Sequence, residues 1–403
     1  MDLLPTTLGT RPRLAIEIRP EGVVAARSED AQALVSAVSY GLFEEGIVVP
    51  GLKLGNILGR RDAVLAIRRA LEAVALKERQ TTLVLPDAAV RVLLLDFDQL
   101  PAKAAEALPV VRFRLKKLLP FDSDDAVVSY QVMSTSRNVV RVLAVAVPKD
   151  VLAEYESLVR EAGFEPGAVL PSTLAACAGI TETDTATLLV NAGETSVTTA
   201  IVQNGVLLLH RTVDLAAEGL HEAAHPEELS SLEIAVPPEL LALPLVDVHD
   251  TASEWARQEP VTGYGVLDDD HISAGNVRET ERVLGQDRLL EDSDELWPPL
   301  PAAATQPIQI EERRMSAASR EVTQAVSVAA AYYEDTLQVA PGVVLAAGTM
   351  PADVLANLLR ETGFTDSQIR VREMMEAVML TGGAVSARVP RGWIAGVRGA
   401  LRS

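Results

Sequence analysis

Two strand–turn–strand units, far apart in the chain, constrain its fold more than any other feature. In the first, Leu14-Ala15-Ile16-Glu17-Ile18 and Val23 to Ala26 flank a turn at Pro20-Glu21-Gly22. In the second, Ala186 to Val190, Val197 to Val202 and Val206 to His210 repeat the pattern around Asn191-Ala192-Gly193-Glu194-Thr195-Ser196. Helical periodicity follows each. Val64, Ile67, Leu71 and Val74 predict an amphipathic helix over 62–78, and a second helix is expected over 103–118. Strands are expected at Thr81 to Leu85, Val90 to Leu95, Val127 to Val132 and Val139 to Val147. Pro148 opens a helix that carries Val151, Tyr155, Leu158 and Ala162, and Gly163 closes it. Later come a helix from Ala317 to Leu337, a strand at Val343 to Ala346, a helix from Pro351 to Glu361 and a short helix from Trp393 to Leu401. Strands alternating with helices in two similar halves indicate an α/β protein with two lobes.

Charge is concentrated in one stretch. The net charge is −20, and Asp214 to Leu300 alone holds 21 acids against four arginines, or −17. Its second half loses periodicity and ends in Glu291-Asp292-Ser293-Asp294-Glu295-Leu296-Trp297-Pro298-Pro299. An acidic insertion over about 214–312, partly disordered within 250–312, is therefore expected in the second lobe. Such an acidic balance, with aromatics at 4%, argues against a nucleic-acid partner. A lone Cys177 excludes a disulfide scaffold and reads as a small buried hydrophobe. Apolar runs such as Val90 to Leu95 stop short of a membrane span, and Met1-Asp2-Leu3-Leu4-Pro5 lacks the features of a leader, so a cytoplasmic protein is expected. Arg388, Arg391, Arg398 and Arg402 make residues 385–403 a basic helix, expected to face solvent or anionic lipid.

Walker, nucleophile-elbow and Rossmann patterns are missing from the sequence. His221-Glu222-Ala223-Ala224-His225 matches the HExxH pattern of zinc peptidases, a remote alternative. Pro226 follows at once, and no third ligand stands at a characteristic spacing, so no metal site is assigned.

The turns carry the chemistry. The first hairpin reads Ile16-Glu17-Ile18-Arg19-Pro20, the second Val190-Asn191-Ala192-Gly193-Glu194-Thr195-Ser196, and a late turn Leu345-Ala346-Ala347-Gly348-Thr349. Further along the order run Thr82-Leu83-Val84-Leu85-Pro86, Leu119-Pro120-Phe121-Asp122 with Tyr130-Gln131, Val145 to Lys149, Glu161-Ala162-Gly163-Phe164-Glu165-Pro166 and Ala331-Tyr332-Tyr333-Glu334. In this order the segments resemble the type IV pilus assembly protein PilM family, which is actin-like and related to the cell-division protein FtsA. The resemblance covers about 81–213 and 317–403.

That resemblance implies a two-lobed actin-like (ribonuclease H-like) α/β fold. It implies an N-terminal tail over 1–13, a first lobe over 14–180 with an inserted subdomain at about 81–165, and a second lobe over 181–384. It further implies a cytoplasmic scaffold at the inner face of the inner membrane. Such a scaffold grips the N-terminal tail of the membrane protein PilN, which carries an Asn-Leu-Leu-Pro-type motif, and links it to other pilus and motor components. Leu119, Phe121 and Tyr130 are the expected partner groove. Asp2, Leu3, Leu4 and Pro5 imitate the partner's motif and are expected to fold back on that groove or to reach a second copy. Family members place ATP and magnesium against Asp-x-Gly turns. Here Glu17 replaces an aspartate, Arg19 fills a glycine position, Asn191 lacks a carboxylate, and one glycine of the Gly348-Thr349 turn is gone. Glu17, Arg19, Asn191, Gly193, Thr195, Gly348 and Thr349 thus describe an eroded nucleotide site, with binding weak or lost and catalysis absent. The rival reading is an ATP-binding or ATP-hydrolysing actin-like protein of cell division or secretion.

Overall fold

Period-two alternation in Leu14–Arg19 (β1) sends Leu14, Ile16 and Ile18 to one side of a sheet and Ala15 to the other. The computed structural model describes residues 12–29, 35–180, 185–215, 306–338, 342–361, 370–375 and 391–402. Gly22–Ser28 (β2) and Val35–Leu42 (β3) extend β1 antiparallel on one side. Gln80–Leu85 (β4) and Glu165–Pro171 (β8) extend it in parallel on the other, giving the order β3-β2-β1-β4-β8.

Thr187–Ala192 (β9), Ser196–Gln203 (β10), Val206–Asp214 (β11), Val343–Gly348 (β12) and Arg370–Glu373 (β13) form a second sheet. Its order is β11-β10-β9-β12-β13, again three antiparallel strands followed by two parallel ones. The same topology occurs twice, which is the two-lobed actin-like α/β architecture expected from the sequence.

Each outer face is covered by helices with one apolar stripe. Arg60–Val74 (α1) and Lys149–Glu161 (α3) bury Ile67, Leu71, Tyr155 and Leu158 against the first sheet. Gln306–Leu337 (α5) and Ala352–Glu361 (α6) bury Val322, Val326, Leu355 and Leu359 against the second. Tyr333 of α5 is buried and donates to the Ala186 carbonyl at 2.7 Å. Cys177 is buried too, and burial pushes its thiol pKa far up.

A third core joins the inner faces. Ser172–Ala178 (α4) and Ile394–Leu401 (α7) lie in it beside Ala15, Val24, Leu189 and Ala200. The two helices cross backbone to backbone. A Cβ at Gly399 would stand 1.7 Å from the Ala175 carbonyl oxygen, so only glycine fits there. This corrects the reading of 385–403 as a basic surface helix. Ile394, Val397, Ala400 and Leu401 are buried, Arg398 is half-buried, and Arg391 and Arg402 are exposed. Arg402 donates to the Ala178 carbonyl at 3.0 Å, and burial lowers the pKa of Arg398. Small apolar residues dominate Ile394–Leu401 and let it pack closely, which outweighs the charge of its arginine.

Arg91–Phe97 (β5), Ala126–Thr135 (β6) and Val140–Pro148 (β7) form a separate antiparallel sheet of order β5-β7-β6. Ala104–Leu115 (α2) covers it through Ala107, Val111 and Leu115. The insertion is thus narrower than 81–165. Thr82, Leu83 and Val84 pair with β1, and α3 belongs to the first lobe's outer layer. The N-terminal tail, His221-Glu222-Ala223-Ala224-His225 and all of the acidic stretch beyond Leu215 up to α5 lie outside the described residues.

Candidate functional site

Alternation fixes what faces the cleft between the lobes. On β1 the side chains next to Ile16 and Ile18 are Glu17 and Arg19. On β9 the one between Val190 and Ala192 is Asn191. The Pro86-Asp87 turn after β4 and the first residues of α4, Ser172 and Thr173, close the ring. All six polar residues are buried.

Their hydrogen bonds account for one another. Ser172 Oγ donates to Glu17 Oε1 at 2.6 Å, and the Arg19 guanidinium stands 2.6 Å from the same oxygen. Arg19 Nη2 also reaches Ser172 Oγ at 3.3 Å and Asn191 Oδ1 at 3.5 Å. Asn191 Nδ2 donates to Thr173 Oγ1 at 2.9 Å and Ser172 Oγ at 3.0 Å, with Asp87 Oδ2 at 3.4 Å. Thr173 gives its hydroxyl proton to Asp87 Oδ2 and its backbone N–H to Asp87 Oδ1. The asparagine thus turns its oxygen to the cation and its amide to the acceptors. A carboxylate at 191 could supply none of those donated bonds.

A second tie joins the two hairpin turns. Glu21 Oε1 accepts the Glu194 backbone N–H at 2.7 Å. Gly348 has φ +87° and lies against the Ala192 carbonyl and Asn191 Oδ1, which leaves no room for a side chain. Thr349 donates its backbone N–H to the Ala192 carbonyl at 2.7 Å.

The electrostatics are those of a dry site. Burial pushes the Glu17 carboxyl above its usual range; Arg19 and the Ser172 hydroxyl oppose the shift, and Asp87 adds to it. Glu17 Oε2 lies against Gly396 of α7 and has no hydrogen-bond partner among the described residues. Burial lowers the His210 pKa, with Asp87 pulling the other way. Burial raises the Glu194 carboxyl, helped by Glu21 and Glu45. Arg19, Glu21, Asp87, Ser172, Asn191, Gly193, Thr195 and Ser196 line a partly open cleft of about 20 Å³, room for roughly one water.

Every turn residue singled out in the sequence therefore comes to one cleft. Asp87, Ser172, Thr173 and Glu21 complete it and were missed. The signal for two of them was Pro171-Ser172-Thr173, a helix start after a strand. Leu119, Phe121 and Tyr130 come together elsewhere, half-buried against the core under α2. Asp2, Leu3, Leu4 and Pro5 lie outside the described residues. Among the described residues no group of three or more His, Cys, Asp and Glu is placed to hold a metal, and no helix is long and apolar enough to cross a membrane.

The chain is similar to a solved structure, a PilM-PilN type IV pilus biogenesis complex. The match covers 97% of this chain and 99% of that one, with a TM-score of 0.60 at 14% identity. This is the fold of PilM. Weaker likenesses follow at lower scores. The ethanolamine utilization protein EutJ from Carboxydothermus hydrogenoformans is similar over 100% of this chain and 91% of its own, at 8% identity and a TM-score of 0.41. A ROK hexokinase from Thermus thermophilus is similar over 96% of each chain, at 11% identity and a TM-score of 0.32. No protein-family model and no curated protein matches the chain.

Proposed function

We propose that the chain is a scaffold of type IV pilus assembly that grips the N-terminal tail of a PilN-like protein at the inner face of the inner membrane. The observation that carries this reading is the near end-to-end match to the chain of the PilM-PilN complex. Pilus motor components are further partners in this reading, and the N-terminal motif offers a second mode, self-association.

The nucleotide cleft is, in this reading, held by the chain's own side chains. Magnesium and a triphosphate do not fit the residues present. Arg19 lies where a phosphate would approach the β1–β2 turn, Asn191 bolts the lobes together, and the remaining space takes about one water. The asparagine and arginine are replacements with work of their own, and the protein needs no turnover to keep its lobes together.

The partner groove is assigned to Leu119, Phe121 and Tyr130 beside β6. Among the described residues β6 has a sheet neighbour, β7, on one side only, and in this reading its other edge pairs with an extended tail. Leucines of the tail would fill the apolar positions. Asp2 to Pro5 would compete for the same groove, and deleting Met1 to Pro5 should then tighten tail binding. The decisive experiment is calorimetry of the full chain with a synthetic Asn-Leu-Leu-Pro tail peptide. Binding that Tyr130→Ala weakens roughly tenfold, about 1.4 kcal/mol, supports the assignment. A peptide that fails to bind, or binds the variant unchanged, overturns it.

A further inference from the structure

The outward side of α2 is apolar and cationic. Ala107, Val111 and Leu115 face its sheet, so helical geometry turns Val110 and Phe113 away from it; Arg114 on the helix flank and Lys117 in the turn after the helix are exposed. Phe113 is 71% exposed and Leu118, just past the helix, is 50% exposed. From Ala107 to Phe121 the sequence holds Arg112, Arg114, Lys116 and Lys117 and no acid, in a chain of net charge −20.

The cations divide by role. Arg112 is structural, donating to the Ser123 and Ala126 carbonyls. Lys116 stands 3.9 Å from Asp124, whose neighbour Asp122 is occupied in accepting the Asp124 backbone N–H. The Lys117 ammonium sits 6.0 Å from the Phe113 ring centre, a loose cation–π contact. Arg114 and Lys117 are exposed and form no ion pair among the described residues. The end of α2 and the turn after it therefore present a protruding aromatic ring beside two exposed cations.

We propose that this patch rests on an anionic phospholipid surface, with Phe113 and Leu118 entering the headgroup layer and Arg114 and Lys117 on the phosphates. Local charge complementarity selects that partner. The patch is the outer, convex side of a helix end, suited to insertion among headgroups, whereas a protein partner's anchor residue would need a pocket. The contact stands on the end of α2 and the turn after it, and does not depend on the groove reading. It would add a direct hold on the bilayer to any hold through a membrane-protein tail.

The test is co-sedimentation of the full chain with phosphatidylcholine vesicles, with and without phosphatidylglycerol. The wild type should bind the phosphatidylglycerol vesicles and release in high salt. Arg114→Glu with Lys117→Glu should weaken binding by at least ~20-fold, and Phe113→Ser alone by roughly tenfold. Both variants should keep the wild-type unfolding midpoint and tail-peptide affinity, which separates this contact from the groove. Equal binding to neutral vesicles, no binding at all, or full binding by the charge-reversed variant overturns the proposal.

Discussion

Replacing Asn191 by aspartate changes one atom and probes the whole cleft. Asn191 Nδ2 donates to Thr173 Oγ1 at 2.9 Å and Ser172 Oγ at 3.0 Å. A carboxylate donates neither bond, a loss of about 1 kcal/mol each. The new charge would face Asp87 across the 3.4 Å contact and Arg19 across the 3.5 Å contact. Those Coulomb energies are of similar size and opposite sign, so they roughly cancel. Burying a further carboxyl adds ~1 kcal/mol or more. Asn191→Asp should therefore cost about 3 kcal/mol. The sign of its pH dependence follows from the folded-state pKa, which burial raises. The folded variant then holds its proton to higher pH than the unfolded chain does. The penalty grows as pH rises above the ordinary carboxylate range and shrinks toward about pH 4. Urea unfolding of both proteins at about pH 8 and about pH 5 reads this directly. A penalty below ~0.5 kcal/mol at the higher pH, or one that grows on acidification, would refute the reasoning.

Three further outcomes are expected. Arg19→Ala leaves Glu17 buried without its counter-charge and should destabilise by ~3–5 kcal/mol, with Glu17 taking up a proton at still higher pH; a carbon-13 chemical-shift titration of Glu17 would show it, and an unshifted carboxyl would count against the pairing. Gly399→Ala should destabilise, although alanine in a helix interior ordinarily gains ~1 kcal/mol, because its Cβ would meet the Ala175 carbonyl; a stabilised variant in thermal melts would contradict the crossing. Calorimetry with magnesium and ATP should show no binding tighter than about 100 μM, and a micromolar constant would show that the side chains leave the cleft.

Sequence patterning revealed the strands and helices whose apolar residues recur, and it missed those built another way. β8 carries Pro166, Gly167 and Pro171, β13 is Arg-Val-Arg-Glu, and α4 is a short run of small residues. Each exists because a neighbour supplies the partner surface, which no local pattern encodes. The site divides the same way. Glu17, Arg19 and Asn191 were legible because a strand followed by a glycine turn marks the place. Their roles were not, since Asn191 reads as a lost carboxylate until Thr173, Ser172 and Asp87 are seen around its amide. Asp87 and Thr173 lie 86 residues apart, and only the fold brings them together.

The return of α7 to the inner face of the first sheet sets an order of assembly. Residues 394–401 are made after the whole second lobe, yet Ala15, Val24, Ala26 and Val84 depend on the core they fill. At ribosomal rates the first lobe would wait on the order of 10–40 s with that face open to water. During synthesis it is therefore a natural client for a chaperone that shields apolar sheet surface. A chain interrupted before α7 should expose a sticky first lobe rather than leave one intact lobe behind.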